Sequence, residues 1–197
     1  MSVFSWSAPI FGHFADRWDD EQVARLAALL LPDPTSPGLR QPRILDVGGG
    51  TGALARRLHR VSGADVTVLD PTPQMLRYLP ADDHVRGVLG TAEKMPFDDD
   101  SFDALIVTDA FHHFRDQPGA VREFARVVRQ DGRVLVMELD PRGAVMRVIV
   151  AAERLLGEPG AFYTPEEMCR FMAAQGIRGE CEPLEKASYR YLGTVKD

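Results

Sequence analysis

Long apolar runs are missing from this chain of 197 residues, and no stretch approaches the ~20 residues that cross a bilayer. Its start also lacks a basic region followed by an apolar stretch, so no secretory leader is expected and the cytoplasm is the expected compartment. Cysteine is scarce. Cys169 and Cys181 are too few for a disulfide framework and wrongly spaced for a zinc site. One lies in a helical pattern and the other in a strand-like one, so they read as separate buried thiols. Basic charge is scarce too: 23 Lys and Arg stand against 29 Asp and Glu, a net charge of −6. That balance argues against general affinity for nucleic acid, where clustered cations must neutralise phosphates. Arg56, Arg57 and Arg60 read as a solvated helix face, and Asp98-Asp99-Asp100 as a solvated turn rather than a metal cluster. No repeat or low-complexity tract is present, and no metal site is expected.

What is present reads as one soluble domain with a proper core, since 45% of the residues are hydrophobic and 26% charged. After an irregular aromatic start, Val23, Leu26, Ala27 and Leu30 fall at helical spacing, up to Leu31. Pro32, Pro34, Pro37 and Gly38 then form a breaker-rich linker. From Arg43 onward strand and helix patterns alternate. Strands are expected at Arg43 to Val47, Asp65 to Leu69, Val85 to Leu89, Phe102 to Val107 and Arg133 to Leu139. Helices are expected at Thr51 to Arg60, after Pro71 and Pro73 through Leu79, and at Ala120 to Val128. Such alternation makes a parallel sheet with helices on both faces. Val145 to Leu156 is a strongly apolar helical pattern. Thr164-Pro165-Glu166-Glu167 is a helix start with a capping box, and Gly176 stops that helix. The runs Ile177 to Pro183 and Ser188 to Val195 are joined too closely for a parallel crossover, which predicts an antiparallel hairpin at the sheet edge. The expected layout is a lid and linker over 1–40, a core over 41–140, a cap over 141–163 and a final helix and hairpin over 164–197.

The most informative segment is Ile44-Leu45-Asp46-Val47-Gly48-Gly49-Gly50-Thr51-Gly52, followed at Asp70 by an acid ending the next apolar run. Glycines after a strand permit a sharp turn and close approach to a ligand. An acid about 20 residues on is placed to accept hydrogen bonds from ribose hydroxyls. Together they describe a nucleoside-binding crevice. The loop by itself fits dinucleotide binding through Gly48, Gly50 and Ala53 as well. Asp46 inside the strand end would repel a pyrophosphate and suit a cationic ligand; its alternative role is to order the loop by accepting backbone N–H groups.

The chain resembles the class I S-adenosylmethionine-dependent methyltransferases, in particular the small group similar to ubiquinone and menaquinone biosynthesis methyltransferases. The resemblance rests on Leu45 to Gly52, on Val68-Leu69-Asp70-Pro71-Thr72-Pro73-Gln74-Met75-Leu76 and on Gly90-Thr91-Ala92-Glu93-Lys94-Met95-Pro96-Phe97. Further matches are Ser101-Phe102-Asp103-Ala104, Ala110-Phe111-His112-His113-Phe114, and Glu123 to Val128 before Asp131-Gly132-Arg133. It implies a Rossmann-like, mostly parallel seven-stranded sheet with a C-terminal antiparallel hairpin. It further implies S-adenosylmethionine as cofactor and S-adenosylhomocysteine as product. Asp46, Gly48, Gly49, Gly50 and Gly52 would face its methionyl and ribose parts, and Asp70 the ribose hydroxyls. Pro71 and Met75 would line the adenine, Ala92 and Glu93 its edge, and Thr108 the methionine. Thr91 stands where an aspartate is common in the family, a departure that bears on the adenine amino contact.

A sulfonium methyl is already activated, so positioning and exclusion of water supply most of the acceleration. A base is needed only where the acceptor must lose a proton, as a phenol or enol does. His113 is the first candidate for that base and His112 the second, with His13 and Asp109 behind them; structural packing of the pair is the other reading. Aromatics at Phe4, Trp6, Phe11, Phe14, Trp18, Phe162 and Tyr163 favour a small apolar or aromatic acceptor over nucleic acid or protein. No asparagine-proline-proline-aromatic run follows the fourth strand. The competing readings are a nicotinamide-dependent oxidoreductase, for which no Tyr/Lys pair or second domain is evident, and a non-catalytic regulator of the same fold. A homodimer through the edge hairpin or apolar cap stays open.

Overall fold

In the computed structural model the described residues are 18–31, 41–79, 82–143, 161–185 and 187–196. The aromatic N-terminal segment before Trp18, the proline-rich linker and the Val145 to Leu156 run lie outside them, as does His13.

Alternation of side-chain direction along strands buried on both faces builds the layers. Helix α1 (Asp20–Leu30) opens on an Asp19/Gln22 capping box and is followed by β1 (Arg43–Val47), α2 (Ala53–Ser62), β2 (Asp65–Asp70), α3 (Pro73–Leu76) and β3 (Val85–Leu89). Then come β4 (Phe102–Thr108), a single 3-10 turn at Phe111–His113, α4 (Gln117–Val127), β5 (Val128–Leu139), α5 (Pro165–Ala173), β6 (Ile177–Leu184) and β7 (Ser188–Val195). Successive side chains point to opposite faces of a strand. Ile44, Val66, Val68, Ala104, Ile106 and Leu135 therefore meet α1 and α2 through Val23, Leu26, Leu30, Leu54 and Leu58. Leu45, Val47, Leu105, Val107, Val134 and Val136 meet α4 and α5 on the other face through Val121, Phe124, Met168 and Met172. Trp18 packs with the α1 and α2 layer.

The seven strands run in the order β3-β2-β1-β4-β5-β7-β6. The first five are parallel, and β7 pairs antiparallel with both β5 and β6. The expected hairpin is present, with its second strand inserted between β5 and the outer strand. Along β6, Arg178, Glu180, Glu182 and Pro183 are exposed, features that discourage pairing with another edge. The order in which successive strands are added reverses between the parallel neighbours β1 and β4, and ligands of open α/β folds lie at such switch points, outside the carboxyl ends of the strands.

The element bounds differ from expectation by three residues or more in three places. The helix after β2 is one turn, Pro73–Leu76. Helix α4 starts three residues early, because Asp116 caps it by accepting from Gly119 N–H and Pro118 sits in its first turn. Strand β5 starts at Val128 with a register shift against β4 between Phe102 and Ala104. Thr164 and Glu167 form the expected capping box, with Pro165 at the first helical position. Arg57 reaches Asp20 of α1 at 2.9 Å, so one member of the basic cluster ties two helices together.

Candidate active site

The glycine loop leaves β1 and enters α2. Gly48 has φ +72°, and a Cβ there would lie 2.7 Å from Ala110 Cβ, so backbone conformation and space both demand glycine. Gly50 has φ +55° and meets nothing within 4 Å on its Cβ side among the described residues. A Cβ at Gly49 would collide with the Asp46 carboxylate, which lies directly beneath the turn.

Two acids behave differently here. Asp70 accepts from Gly50 N–H at 3.0 Å and from Thr72 N–H at 2.8 Å. Burial raises its pKa, and those two backbone bonds pull it back. Asp46 is fully buried, and neither carboxylate oxygen has a hydrogen-bond partner among the described residues. Burial first, then the nearby Asp70 charge, push its pKa up to about 7. The loop-ordering role open to Asp46 in the sequence is thus performed by Asp70. Each Asp70 oxygen keeps lone-pair capacity for a further donor.

Beside β1, β4 ends with Thr108 opposite Met137 of β5, which continues to Leu139. Asp109 then adopts φ +50°, and its N–H donates to Met137 C=O at 3.0 Å. Glu138 follows Val134 and Val136 on the α4 and α5 face and is 3% exposed. Its carboxylate receives His112 Nδ1 at 2.9 and 3.0 Å and Phe111 N–H at 3.2 Å. A carboxylate only accepts, so Nδ1 carries the proton and Nε2 the lone pair. Phe162 stacks on the His112 ring at 4.4 Å and 16°. The Phe162 segment is fastened by Gln117, whose Nε2 donates to Phe111 C=O at 3.0 Å and Ala161 C=O at 2.9 Å, while its Oε1 accepts from Tyr163 O–H at 3.1 Å. Tyr189 O–H donates to Tyr163 C=O at 3.0 Å. His113 lies against His112, ring centroids 3.9 Å apart. Burial, then the neighbouring His112, hold its pKa down to about 4.

Residues 45–136 match the family described as a methyltransferase domain. The demethylmenaquinone methyltransferase of Chlorobaculum tepidum is 39% identical over 112 residues, which is 56% of this chain and 46% of that protein. The uncharacterised methyltransferase YcgJ of Bacillus subtilis is 37% identical over 135 residues, 65% of this chain and 53% of that one. Its solved structure superposes with a TM-score of 0.63 at 30% identity, covering 79% of this chain and 70% of that chain.

The chain belongs to the class I S-adenosylmethionine-dependent methyltransferases.

A methyltransferase of this type from Aquifex aeolicus shares the fold over 91% of this chain and 100% of its own, with a TM-score of 0.65 at 19% identity. The chain spans about half the length, or less, of the curated relatives above.

The residues present fit the family's cofactor. An orphaned buried carboxylate is a costly feature that a cationic ligand relieves, and Asp46 offers one beneath a loop open at Gly50. Asp70 closes the same loop from β2. Of the remaining residues named from the resemblance, Met75 is buried, Thr108 is half-buried at the end of β4, and Pro71 is exposed. Ala92 belongs to the core on the α4 and α5 face. The Glu93 carboxylate accepts from Arg115 N–H at 2.8 Å, so it holds the loop before α4. The aspartate run is exposed, with Asp99 paired to Arg126 at 2.8 Å.

Sequence reading missed Glu138 and Gln117. Glu138 stands in an apolar strand, and that lone acid was the available signal. Gln117 gave none, because it is joined to residues 44 and 46 positions away only by folding. Cys169 and Cys181, read as separate thiols, lie with their sulfur atoms 2.9 Å apart.

Proposed function

We propose that this methyltransferase domain moves the methyl group of S-adenosylmethionine to a small aromatic acceptor of hydroquinone or phenol type, with His112 as the base that removes the acceptor's hydroxyl proton. The observation that carries the cofactor half is the Asp46 carboxylate, buried and without a hydrogen-bond partner among the described residues beneath the open side of Gly50. Bound there, S-adenosylmethionine supplies an electrophilic sulfonium methyl.

Asp46 faces the ammonium of the methionyl part, and the attraction restores its charged form. Asp70 receives the ribose hydroxyls with the lone pairs left after Gly50 and Thr72. His112 takes the proton at Nε2, because Glu138 fixes the other ring nitrogen and stabilises the imidazolium that results. His113 is the weaker choice, since a pKa near 4 makes it a poor base at neutral pH. Phe162, stacked on the His112 ring, and Tyr163 supply apolar, planar surface for the acceptor and shield the site from water. The relative in Chlorobaculum tepidum named for demethylmenaquinone supports the acceptor class.

Calorimetric titration with S-adenosylmethionine, S-adenosylhomocysteine, NAD and NADP tests the cofactor. Saturable binding of the two adenosyl ligands alone is expected. Preference for a nicotinamide nucleotide overturns the reading. Turnover with hydroquinones against small amines then tests the acceptor.

A further inference from the structure

The two cysteines have no part in the methyl-transfer reading. Cys169 sits in the middle of α5 and Cys181 in the middle of β6, the outer strand. The sulfur atoms are 2.9 Å apart, and Cys181 Sγ donates to Pro165 C=O at 3.0 Å. Both residues are half-buried. A disulfide has an S–S length of about 2.05 Å, so roughly 1 Å of approach closes the bond, within the reach of side-chain rotation.

We infer that Cys169 and Cys181 are a site of reversible oxidation, a dithiol that closes to an intramolecular disulfide and ties α5 to β6.

Hydrogen peroxide, or another hydroperoxide, is the oxidant class. Burial and the neighbouring sulfur hold the Cys181 thiol well above its ordinary pKa, so it stays protonated. The Cys181 thiol hydrogen is donated to Pro165 C=O, which leaves Cys169 as the attacking sulfur. Its thiolate breaks the O–O bond, forming a sulfenic acid and releasing hydroxide. The Cys181 sulfur then displaces the sulfenic oxygen as water, its thiol proton leaving with that oxygen. Two thiols and one peroxide thus give one disulfide and two waters. A dithiol reductant returns the pair by two thiol–disulfide exchanges. The crosslink falls one turn after Thr164, next to the Phe162 and Tyr163 segment packed at His112. Its effect is to lock that segment's anchoring helix, leaving the glycine loop of the other half-site untouched.

The test treats the purified full chain with a small excess of hydrogen peroxide. Titratable thiols should fall from two to none, with a mass loss of about 2 Da and one peptide pair linked through Cys169 and Cys181. The melting temperature should rise by several degrees, and dithiothreitol should reverse every change. Cofactor affinity should be unchanged, so failure here and failure of the methyltransferase reading are separate results. Denaturant during the oxidation should slow bond formation at least tenfold, because it removes the proximity. Sulfinic or sulfonic acid at either cysteine, disulfide-linked dimers, unreacted thiols, or an equal rate in denaturant would each overturn the proposal.

Discussion

Glu138, at the end of β5, holds His112 Nδ1 at 2.9 Å inside a site where both side chains are almost wholly buried. The pair joins the turn after β4 to the carboxyl-terminal part of β5. It also sets the imidazole tautomer, which decides the nitrogen that meets an acceptor. Replacing His112 by Asn should lower kcat with a phenolic acceptor by about 10² to 10⁴. Cofactor affinity should stay within about twofold, since the residues assigned to the cofactor lie on β1, the glycine loop and β2 rather than on this pair. Glu138→Gln can still accept from Nδ1 and should lose about tenfold, with Glu138→Ala losing more. Equal loss in binding and turnover would assign the pair to structure alone.

Asp46 links cofactor affinity to pH. Its pKa near 7 means the unbound protein must release a proton to meet an ammonium group below neutrality. Affinity for S-adenosylmethionine should therefore rise with pH up to about 7 and then level, measured by titration in matched buffers. Asp46→Asn should weaken binding at least tenfold and remove that part of the pH dependence.

The same residue sets a stability trend. Between about 3.8 and 7 the folded state holds the Asp46 proton and the unfolded chain does not, so stability falls as pH rises through this window. Relative to wild type, unliganded Asp46→Asn should gain stability up to neutral pH, by on the order of 4 kcal/mol as an upper figure. His113 works in the opposite direction. Its folded pKa near 4 lies below the ordinary 6.5, so the unfolded chain binds the proton first and stability is lost as pH falls through that interval. His113→Gln should flatten this acid limb. Denaturant melts of the two variants from pH 4 to 8 should diverge in opposite senses from wild type.

The glycines separate folding from binding. Gly48→Ala meets both a left-handed backbone and Ala110 Cβ at 2.7 Å, and should cost about 2 to 4 kcal/mol of stability. Gly50→Ala has only the backbone penalty of about 1 kcal/mol, because its Cβ side is open. That methyl enters the space assigned to the cofactor, so binding should be lost with little change in melting temperature. Retained binding in Gly50→Ala would remove the cofactor from that side of the loop.

Gln117 should matter beyond its size. Truncation to Ala frees the buried Phe111 carbonyl, whose unmet bond costs about 1 to 3 kcal/mol, and the Ala161 carbonyl and Tyr163 hydroxyl, which water can partly satisfy at lower cost. The expected result is a raised KM for the acceptor and a lower melting temperature, with cofactor affinity preserved.

Local physics carried much of this protein in the order of its residues. Alternating side-chain direction along the buried run Ile44 to Val47 served both layers, the Thr164-Pro165-Glu167 pattern fixed a helix start, and the glycine loop with Asp70 marked the crevice, because each depends on neighbours within a few positions. Tertiary structure decided what depends on strand order and on contacts distant in sequence. Insertion of β7 between β5 and β6, Glu138 against His112 rather than His113, Asp70 rather than Asp46 as the ordering acid, and Cys169 beside Cys181 all arise there. No spacing rule encodes them, since each pair meets only when separate elements pack on one sheet.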